Sequence, residues 1–375
     1  MSNKITARIA MVAALTGLVA CIPKSQVQEV ISIGAVLPLT GSNAQWGGPP
    51  RDAILLAADE INGRGGILGR KLEIHVEDDQ CQAANAVSAA QKLLAANKPI
   101  AIIGAICSSP TLAMAPVVER EKVVLVSPGS TNPQITTAGD YVFRTIPSDA
   151  FRGKVFAQYV HSLGNKRVSV LYINNDGGAG NQQSFSENFR SLGGTIVSTD
   201  AYPADTQDIR AQLLIIKQQN ADAVLIVSYP GDTPIVLRQA YELGIRKPLF
   251  FQTEALDDPS VLAKAGKAAN GATYILPAQP QGAAAQSFAQ KYKARYSRDP
   301  ELFAAEGYDS LMILAQALSS IPVPSSEALK DALYKIQNYA GASGTITFDT
   351  NGDVNKPMMI KRVENGKTIV VTTTP

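Results

Sequence analysis

Residues 31–38 read ISIGAVLP, and residues 51–61 read RDAILLAADEI. The first stretch is a short continuous apolar run that ends at a proline, which is typical of a fully buried β-strand. The second places apolar side chains at helical spacing from Ile54 to Ile61, and the glycine-rich residues 63–66 follow it. A buried strand followed by an amphipathic helix is the repeating unit of an α/β sheet.

The same alternation continues on both sides of Pro147. It predicts strands at 71–76, 100–106, 123–126, 168–173, 195–199, 223–227, 248–252 and 274–277, and helices at 83–96, 111–121, 151–163, 183–192, 208–219 and 233–243. Continuous apolar strands that alternate with helices indicate parallel sheets covered on both faces. The predicted fold class is therefore α/β, with two doubly wound parallel-sheet lobes joined by a multi-strand hinge.

The last third of the chain has a different pattern. Helices are predicted at 282–296, 301–318 and 326–337 without intervening strands, and the tail is hairpin-like. A chain of 375 residues exceeds the ~250–300 residues at which single cores stop growing. We assign residues 30–148 and 278–344 to the first lobe, and 149–277 and 345–375 to the second.

Composition excludes several classes of protein. Apolar residues make up 45% of the chain and charged residues 18%, which is ordinary for a compact globular protein. The formal net charge is only +2, and no run of Lys or Arg is interleaved with aromatic residues. We therefore expect no nucleic-acid partner.

The N-terminus has the pattern of an export signal. Lys4 and Arg8 precede an apolar stretch at 9–19 that is shorter than the ~20 residues needed to span a bilayer. The stretch ends in LVAC at 18–21, which resembles the bacterial lipobox, where the cysteine is lipidated. We expect 1–20 to be a lipoprotein signal peptide, Cys21 the lipidated residue and 21–29 a tether, which predicts an extracytoplasmic, membrane-anchored protein. Ordinary cleavage after Ala20 is the alternative.

Cys81 and Cys107 remain once Cys21 is set aside. An even number of cysteines in an exported chain predicts a disulfide, with two buried free thiols as the alternative. The histidines, His75 and His161, do not lie near the cysteines in a ligand-like spacing, so we predict no metal site.

Several motifs, in order and at consistent spacing, carry a family resemblance. They are 33–41 (IGAVLPLTG), 58–67 (ADEINGRGGI), 76–81 (VEDDQC), 103–109 (IGAICSS), 126–131 (VSPGST), 237–244 (LRQAYELG) and 344–352 (GTITFDTNG). With them the sequence resembles the branched-chain amino-acid-binding family, the type I periplasmic binding proteins of ABC importers related to Leu/Ile/Val-binding protein. The resemblance implies a small-molecule ligand, permease partners, no cofactor and no catalysis, and it places the family's disulfide on Cys81 and Cys107.

Two loops of the first lobe are predicted to bind the ligand. Residues 107–110 follow a strand and open a helix, with Ser109 as a plausible cap and Pro110 at the first helical position. Free N–H groups there suit a carboxylate, although the serines could simply cap the helix. Residues 128–131 follow the next strand at the same sheet edge. The resemblance places the ligand carboxylate on Ser108 and the Thr131 backbone.

The resemblance places the ligand ammonium on the Gly129 carbonyl, the Thr131 hydroxyl and Glu254 of the second lobe, with Ser130 in the same loop. It also places Tyr229 at the cleft. Two positions depart from the family pattern.

Trp46 stands where the family has a smaller aromatic residue, and Gly177 stands where it has a tyrosine. We interpret Gly177 as removing a wall of the pocket and Trp46 as adding bulk opposite it, so neutral, largely apolar amino acids are the expected ligands.

Two rival functions share this α/β pattern. A dinucleotide-binding enzyme would need a glycine-rich loop, but the glycines at 177–180 lack the G-x-G-x-x-G register. The chain also offers no histidine-centred acid–base pair and no nucleophile elbow, so we predict that it is not an enzyme. A binder or sensor of amides, urea or aromatic acids with the same fold remains the alternative to an amino-acid binder.

Overall fold

The chain folds around two large β-sheets. Most strands of each sheet come from the alternating strands and helices that the sequence predicts. The computed structural model describes residues 30–374. The predicted signal peptide, Cys21 and the tether at 21–29 therefore lie outside the described residues. Within 30–374 no helix combines the length and the apolarity that crossing a bilayer requires.

The first lobe is built on a five-stranded parallel sheet. Its elements are β1 (Ile31–Leu37), α1 (Gly48–Gly63), β2 (Leu72–Asp78), α2 (Ala83–Ala96), β3 (Ala101–Gly104), α3 (Ser108–Glu121), β4 (Val124–Ser127) and β5 (Val142–Arg144), with strand order β2-β1-β3-β4-β5. Every residue of β3 and β4 is buried. Helices on both faces explain why these strands are apolar throughout rather than at alternate positions.

The second lobe begins with the elements α4 (Asp149–Ser162), β6 (Arg167–Ile173), α5 (Asp176–Ser191), β7 (Thr195–Tyr202), α6 (Arg210–Gln218), β8 (Ala223–Val227), α7 (Thr233–Glu242), β9 (Leu249–Phe251), α8 (Pro259–Ala265) and β10 (Thr273–Pro277). The chain then continues through α9 (Ala283–Tyr296), α10 (Ala304–Ser319), α11 (Ser326–Leu333), β11 (Tyr339–Gly341), β12 (Gly344–Ile346), β13 (Met358–Glu364) and β14 (Lys367–Thr373).

The second sheet has seven strands in the order β14-β13-β10-β9-β8-β6-β7. The β13–β14 hairpin joins it antiparallel to β10, while β6 to β10 pair in parallel. Helices α9, α10 and α11 follow the second lobe in sequence but pack on the first: α10 contacts α1 and β3, and α11 contacts β4. The predicted pair of doubly wound lobes is confirmed.

Several elements differ from their predicted bounds. Helix α5 begins at Asp176 rather than at 183, because the Asn175 side chain caps it by accepting from the Gly178 N–H at 2.8 Å. Helix α3 begins at Ser108, with Cys107 in the capping position predicted for Ser109. Strand β5 and helix α8 were not predicted at all.

The chain crosses between the lobes three times, after β5, after β10 and after β12. The third crossing was predicted at 344, yet the following residues stay with the first lobe. The buried Arg144 guanidinium donates to both carboxylate oxygens of Asp353 at 2.6 Å, and the Phe348 ring lies 5.2 Å from that of Phe143. We propose that the division between lobes lies after Lys356, in place of 344.

Candidate ligand-binding cleft

A disulfide fixes the start of α3 at the carboxyl edge of the first sheet. Cys81 and Cys107 are bonded, with their Cα atoms 5.5 Å apart, so this prediction is confirmed. Cys107 immediately precedes the first turn of α3, whose unpaired N–H groups point out of the helix end. Ser108 is buried there, and its hydroxyl accepts from the Asn132 N–H at 3.3 Å.

The loop after β4 is held in place by the hydrogen bonds of Ser130. The Ser130 hydroxyl is fully buried and lies 2.7 Å from the Thr111 hydroxyl and 3.0 Å from the carbonyl oxygens of Ala105 and Cys107, which share its proton as acceptors. Ser130 therefore fixes the loop in this structure. A side chain at Gly129 would press on Ile106, so only glycine lets the two loops approach this closely.

Polar contacts join the lobes across the cleft. The Thr131 hydroxyl donates to Asp149 Oδ2 at 2.7 Å, and the Asp149 N–H donates to the Thr131 carbonyl at 2.7 Å. The Asn132 side chain donates to the Asp176 carbonyl at 2.5 Å, and the Ser109 hydroxyl accepts from the Asp176 N–H at 3.2 Å. The structure is therefore a closed arrangement of the two lobes.

Aromatic residues form one end of the cleft. The Trp46 ring lies 4.9 Å from that of Tyr229 in the other lobe and 5.6 Å, edge-on, from that of Phe303. A Cβ atom at Gly177 would collide with the Tyr229 hydroxyl. The predicted open space at Gly177 is therefore wrong, since Tyr229 occupies it. The buried Trp46 indole N–H has no hydrogen-bond partner.

Glu254 reaches the cleft, but with a partner that the sequence did not reveal. Its carboxylate forms an ion pair with Arg152 of α4, and the side chains are 6% and 1% exposed. Arg152 also donates to the Gln252 carbonyl at 3.4 Å, and its Nε lies 3.5 Å from Asp149 Oδ1. The guanidinium thus lies between two carboxylates.

Three buried acceptors in this region lack hydrogen-bond partners: Asp149 Oδ1, Asn181 Oδ1 and Gln252 Oε1. Their residues belong to one network, because the Asn181 amide donates to Asp149 Oδ2 at 2.7 Å and the Gln252 amide donates to the Asn181 carbonyl at 3.1 Å. A buried acceptor without a donor is costly, so this network suits a ligand that brings N–H groups.

The charges around Asp149 do not balance. Asp149 and Glu254 together carry one more charge than Arg152 neutralises, and Arg144 beyond them is already paired with Asp353. Burial raises the pKa of the Asp149 carboxyl to about 6, while the Arg152 guanidinium acts in the opposite direction. The region therefore favours an additional cation.

A cavity of about 590 Å³ adjoins this network between the lobes. Glu254, Gln45, Ile146, Phe303 and Glu306 are among its lining residues. The volume is in the ~300–1,000 Å³ range of small-molecule sites. Within residues 30–374 no group of His, Cys, Asp or Glu is arranged to hold a metal ion.

The predicted residues lie where the two lobes meet, but in unequal positions, and Glu254 alone among them lines the 590 Å³ cavity. Trp46 meets Tyr229 and Gly177, Thr131 meets Asp149, and Ser108 lies at the helix end. Glu254 lines the cavity. Sequence reasoning missed Asp149, Arg152, Asn181 and Phe303. An Asp and an Arg three positions apart near the start of a predicted helix, Asp149 and Arg152, are the sequence signal that could have found two of them.

Comparison with known proteins agrees with this architecture. The family model described as periplasmic binding protein matches residues 30–368. A leucine-, isoleucine-, valine-, threonine- and alanine-binding protein of Pseudomonas aeruginosa is 26% identical over 355 residues, which is 94% of each chain. A leucine-binding protein, LivK, from Thermotoga maritima has a TM-score of 0.86 at 30% identity, over 92% of this chain and 99% of that one.

A second solved structure is LivJ of Streptococcus pneumoniae in complex with isoleucine. It has a TM-score of 0.83 at 29% identity and covers 92% of this chain and 99% of its own. These relatives are substrate-binding proteins rather than enzymes, and they share the type I fold of two α/β lobes. The chain belongs to the periplasmic binding protein family.

Proposed function

We propose that this protein captures an α-amino acid between its lobes and delivers it to the permease of an ABC importer, without chemical change. The observation that carries the proposal is the surplus negative charge at Asp149, Arg152 and Glu254, because an α-ammonium would balance it. The names of the relatives, which bind leucine, isoleucine and valine, support a neutral or branched-chain side chain.

The two charged ends of the amino acid have matching places. The start of α3 at Ser108 offers N–H groups and the positive end of a helix dipole, which suit the α-carboxylate. Thr131 and the Gly129 carbonyl of the first lobe, together with Asp149 and Glu254 of the second, suit the α-ammonium.

We further propose export and lipid anchoring through Cys21. The support is the apolar segment before it and the extracytoplasmic location that periplasmic binding proteins share. The variant C21S should leave the membrane fraction or remain unprocessed. Unchanged lipid labelling of that variant would contradict the anchor.

A second candidate function is a binder of amides, urea or aromatic acids. The ion pair with Arg152 favours it, because a Glu254 that is already neutralised has less need of a ligand ammonium.

A thermal-shift and calorimetric panel separates the two candidates. We expect at least one of the twenty amino acids to raise the melting temperature, since a ligand that binds only the folded state stabilises it. If no α-amino acid does so while an amide, urea or aromatic acid does, the amino-acid assignment is wrong and the second candidate replaces it.

A further inference from the structure

Two glycines of the second lobe lie directly against loops of the first. Gly180, in the second turn of α5, faces Asn132, which follows β4. Gly231, between β8 and α7, faces Ser42, which follows β1. The two contacts involve different loops of each lobe, so the lobes meet at two separate places. None of these four residues is among those assigned to the ligand.

Neither glycine has room for a side chain. A Cβ atom at Gly180 would lie 2.6 Å from Asn132 Nδ2 and 2.8 Å from its Cγ. A Cβ atom at Gly231 would lie 2.8 Å from the Cβ of Ser42 and 3.1 Å from its carbonyl oxygen. Non-bonded carbon atoms are at their optimum about 3.5–4.0 Å apart. The lobes therefore approach this closely only because the second lobe presents glycine at both places.

Asn132 is held firmly against Gly180. The residue is buried, its side-chain oxygen accepts from the Gln134 N–H at 2.7 Å, and its carbonyl accepts from the Arg144 guanidinium at 3.0 Å. Its side-chain amide donates across the cleft to the Asp176 carbonyl at 2.5 Å. A larger residue at 180 would have to break these hydrogen bonds or hold the lobes apart.

The local backbone does not require glycine at these positions. Neither residue has a left-handed φ, and Gly180 lies inside a helix, where alanine is favoured over glycine. Alanine at 180 would therefore be at least as stable within the second lobe alone. The need for glycine comes from the opposite lobe.

We propose that Gly180 and Gly231 allow the lobes to close completely and thereby set the affinity for the ligand without contacting it, with Asn132 fastening the closed form. The inference rests on the proposed function only in needing a ligand that binds between the lobes. The measured affinity is the affinity of the closed form multiplied by the fraction of the protein that can adopt it. A side chain at either glycine should therefore weaken every ligand by the same factor.

Calorimetry with L-leucine and L-valine tests the proposal on G180A and G231A. Each variant should bind both amino acids at least about tenfold more weakly, with the ratio of the two affinities unchanged, because a tenfold smaller closed fraction lowers each affinity tenfold. The melting temperature of ligand-free G180A should not fall, since α5 favours alanine. The matched control is G63A, because Gly63 also lies in a helix and a Cβ atom there would meet nothing within 4 Å.

The double variant N132A/G180A tests whether the loss arises from contact between the lobes. N132A shortens the side chain that faces Gly180, so alanine at 180 should cost less affinity in N132A than in the unmodified protein. Additive losses would overturn the proposal. It would also be overturned if G180A bound L-leucine as tightly as G63A does.

If neither amino acid binds the unmodified protein, the neutral side-chain class of the proposed function is contradicted. Small-angle scattering of the ligand-free proteins then decides this inference instead. G180A should have a larger radius of gyration than G63A, because it cannot reach the closed arrangement. Equal radii in that case would overturn the inference.

Discussion

Arg152 changes what Glu254 can offer a ligand. Removing the Glu254 carboxylate would take away the closer partner of the buried Arg152 guanidinium and leave it only Asp149, so E254Q tests folding as much as recognition. Asp149 is the better probe, because its Oδ1 has no hydrogen-bond partner and its ion pair with Arg152, at 3.5 Å, is the longer of the two.

Asp149 should make ligand binding depend on pH. Its pKa is raised to about 6 by burial, and a bound ammonium favours the ionised carboxylate. Below that pH a proton must leave before the ligand binds, so affinity for an amino acid should fall about tenfold between pH 7.5 and pH 5 and level off above 7. Arg152 and Glu254 are the charged groups that face Asp149, with Arg144 beyond them.

Calorimetry across pH 5–8 measures this effect. The variant D149N should bind at least about thirtyfold more weakly at pH 7.5, the lower end for a lost buried charge partner, and should show a flat profile. A D149N profile with the slope of the unmodified protein would assign the titration to another group.

At the scale of elements, the segment after β12 depends on one ion pair. Arg144 is fully buried and Asp353 is 13% exposed, and they are joined by two hydrogen bonds. Changing Asp353 to Asn leaves the guanidinium unpaired, so D353N should lower the free energy of unfolding by about 3–5 kcal/mol.

The control for D353N is D299N, because Asp299 and Lys293 form an exposed pair, 76% and 63% accessible. Such pairs contribute ~0–1 kcal/mol. Urea unfolding of both variants measures the difference. If D353N is no less stable than D299N, the segment after β12 is held by the packing of Phe348 on Phe143 rather than by the ion pair.

The elements also show how far the sequence could be read. Helix α2 and strand β8 have their predicted bounds because their apolar pattern is local and uninterrupted. The first turns of α5 were missed because the glycines at 177–180 look like a loop, and the Asn175 cap that starts the helix there is a single side chain. Strand β5 is only three residues long, too short for any periodicity.

Site residues could be predicted from the sequence only where they directly follow a predicted strand. Ser108 and Thr131 follow strands, and Glu254 follows another, so each could be placed at a sheet edge. The partner of Glu254 lies 102 positions away, and nothing in the sequence pairs the two. Tyr229 filling the space at Gly177 is likewise a consequence of packing between distant segments.

For the whole molecule, we predict that ligand binding shifts the population toward the closed arrangement. The first lobe supplies Ser108 and Thr131, and the second supplies Tyr229 and Glu254, so only closed lobes contact every part of a ligand. Small-angle scattering should show a smaller radius of gyration with a bound amino acid than without it. A solute that does not bind serves as the control, and an unchanged radius at saturation would argue against a hinge.

The first lobe is made from two separate parts of the chain, and this sets the order in which the protein can assemble. A nascent chain presents β1 to β5 first, but α10, which covers α1 and β3, begins 160 positions after Arg144 ends β5. Strands β6 to β10 of the second sheet are synthesised between β5 and α10. At that stage this sheet lacks only its C-terminal hairpin, β13–β14. Apolar strands of the first sheet therefore stay partly uncovered through most of synthesis, and they need protection from aggregation until the last third of the chain arrives.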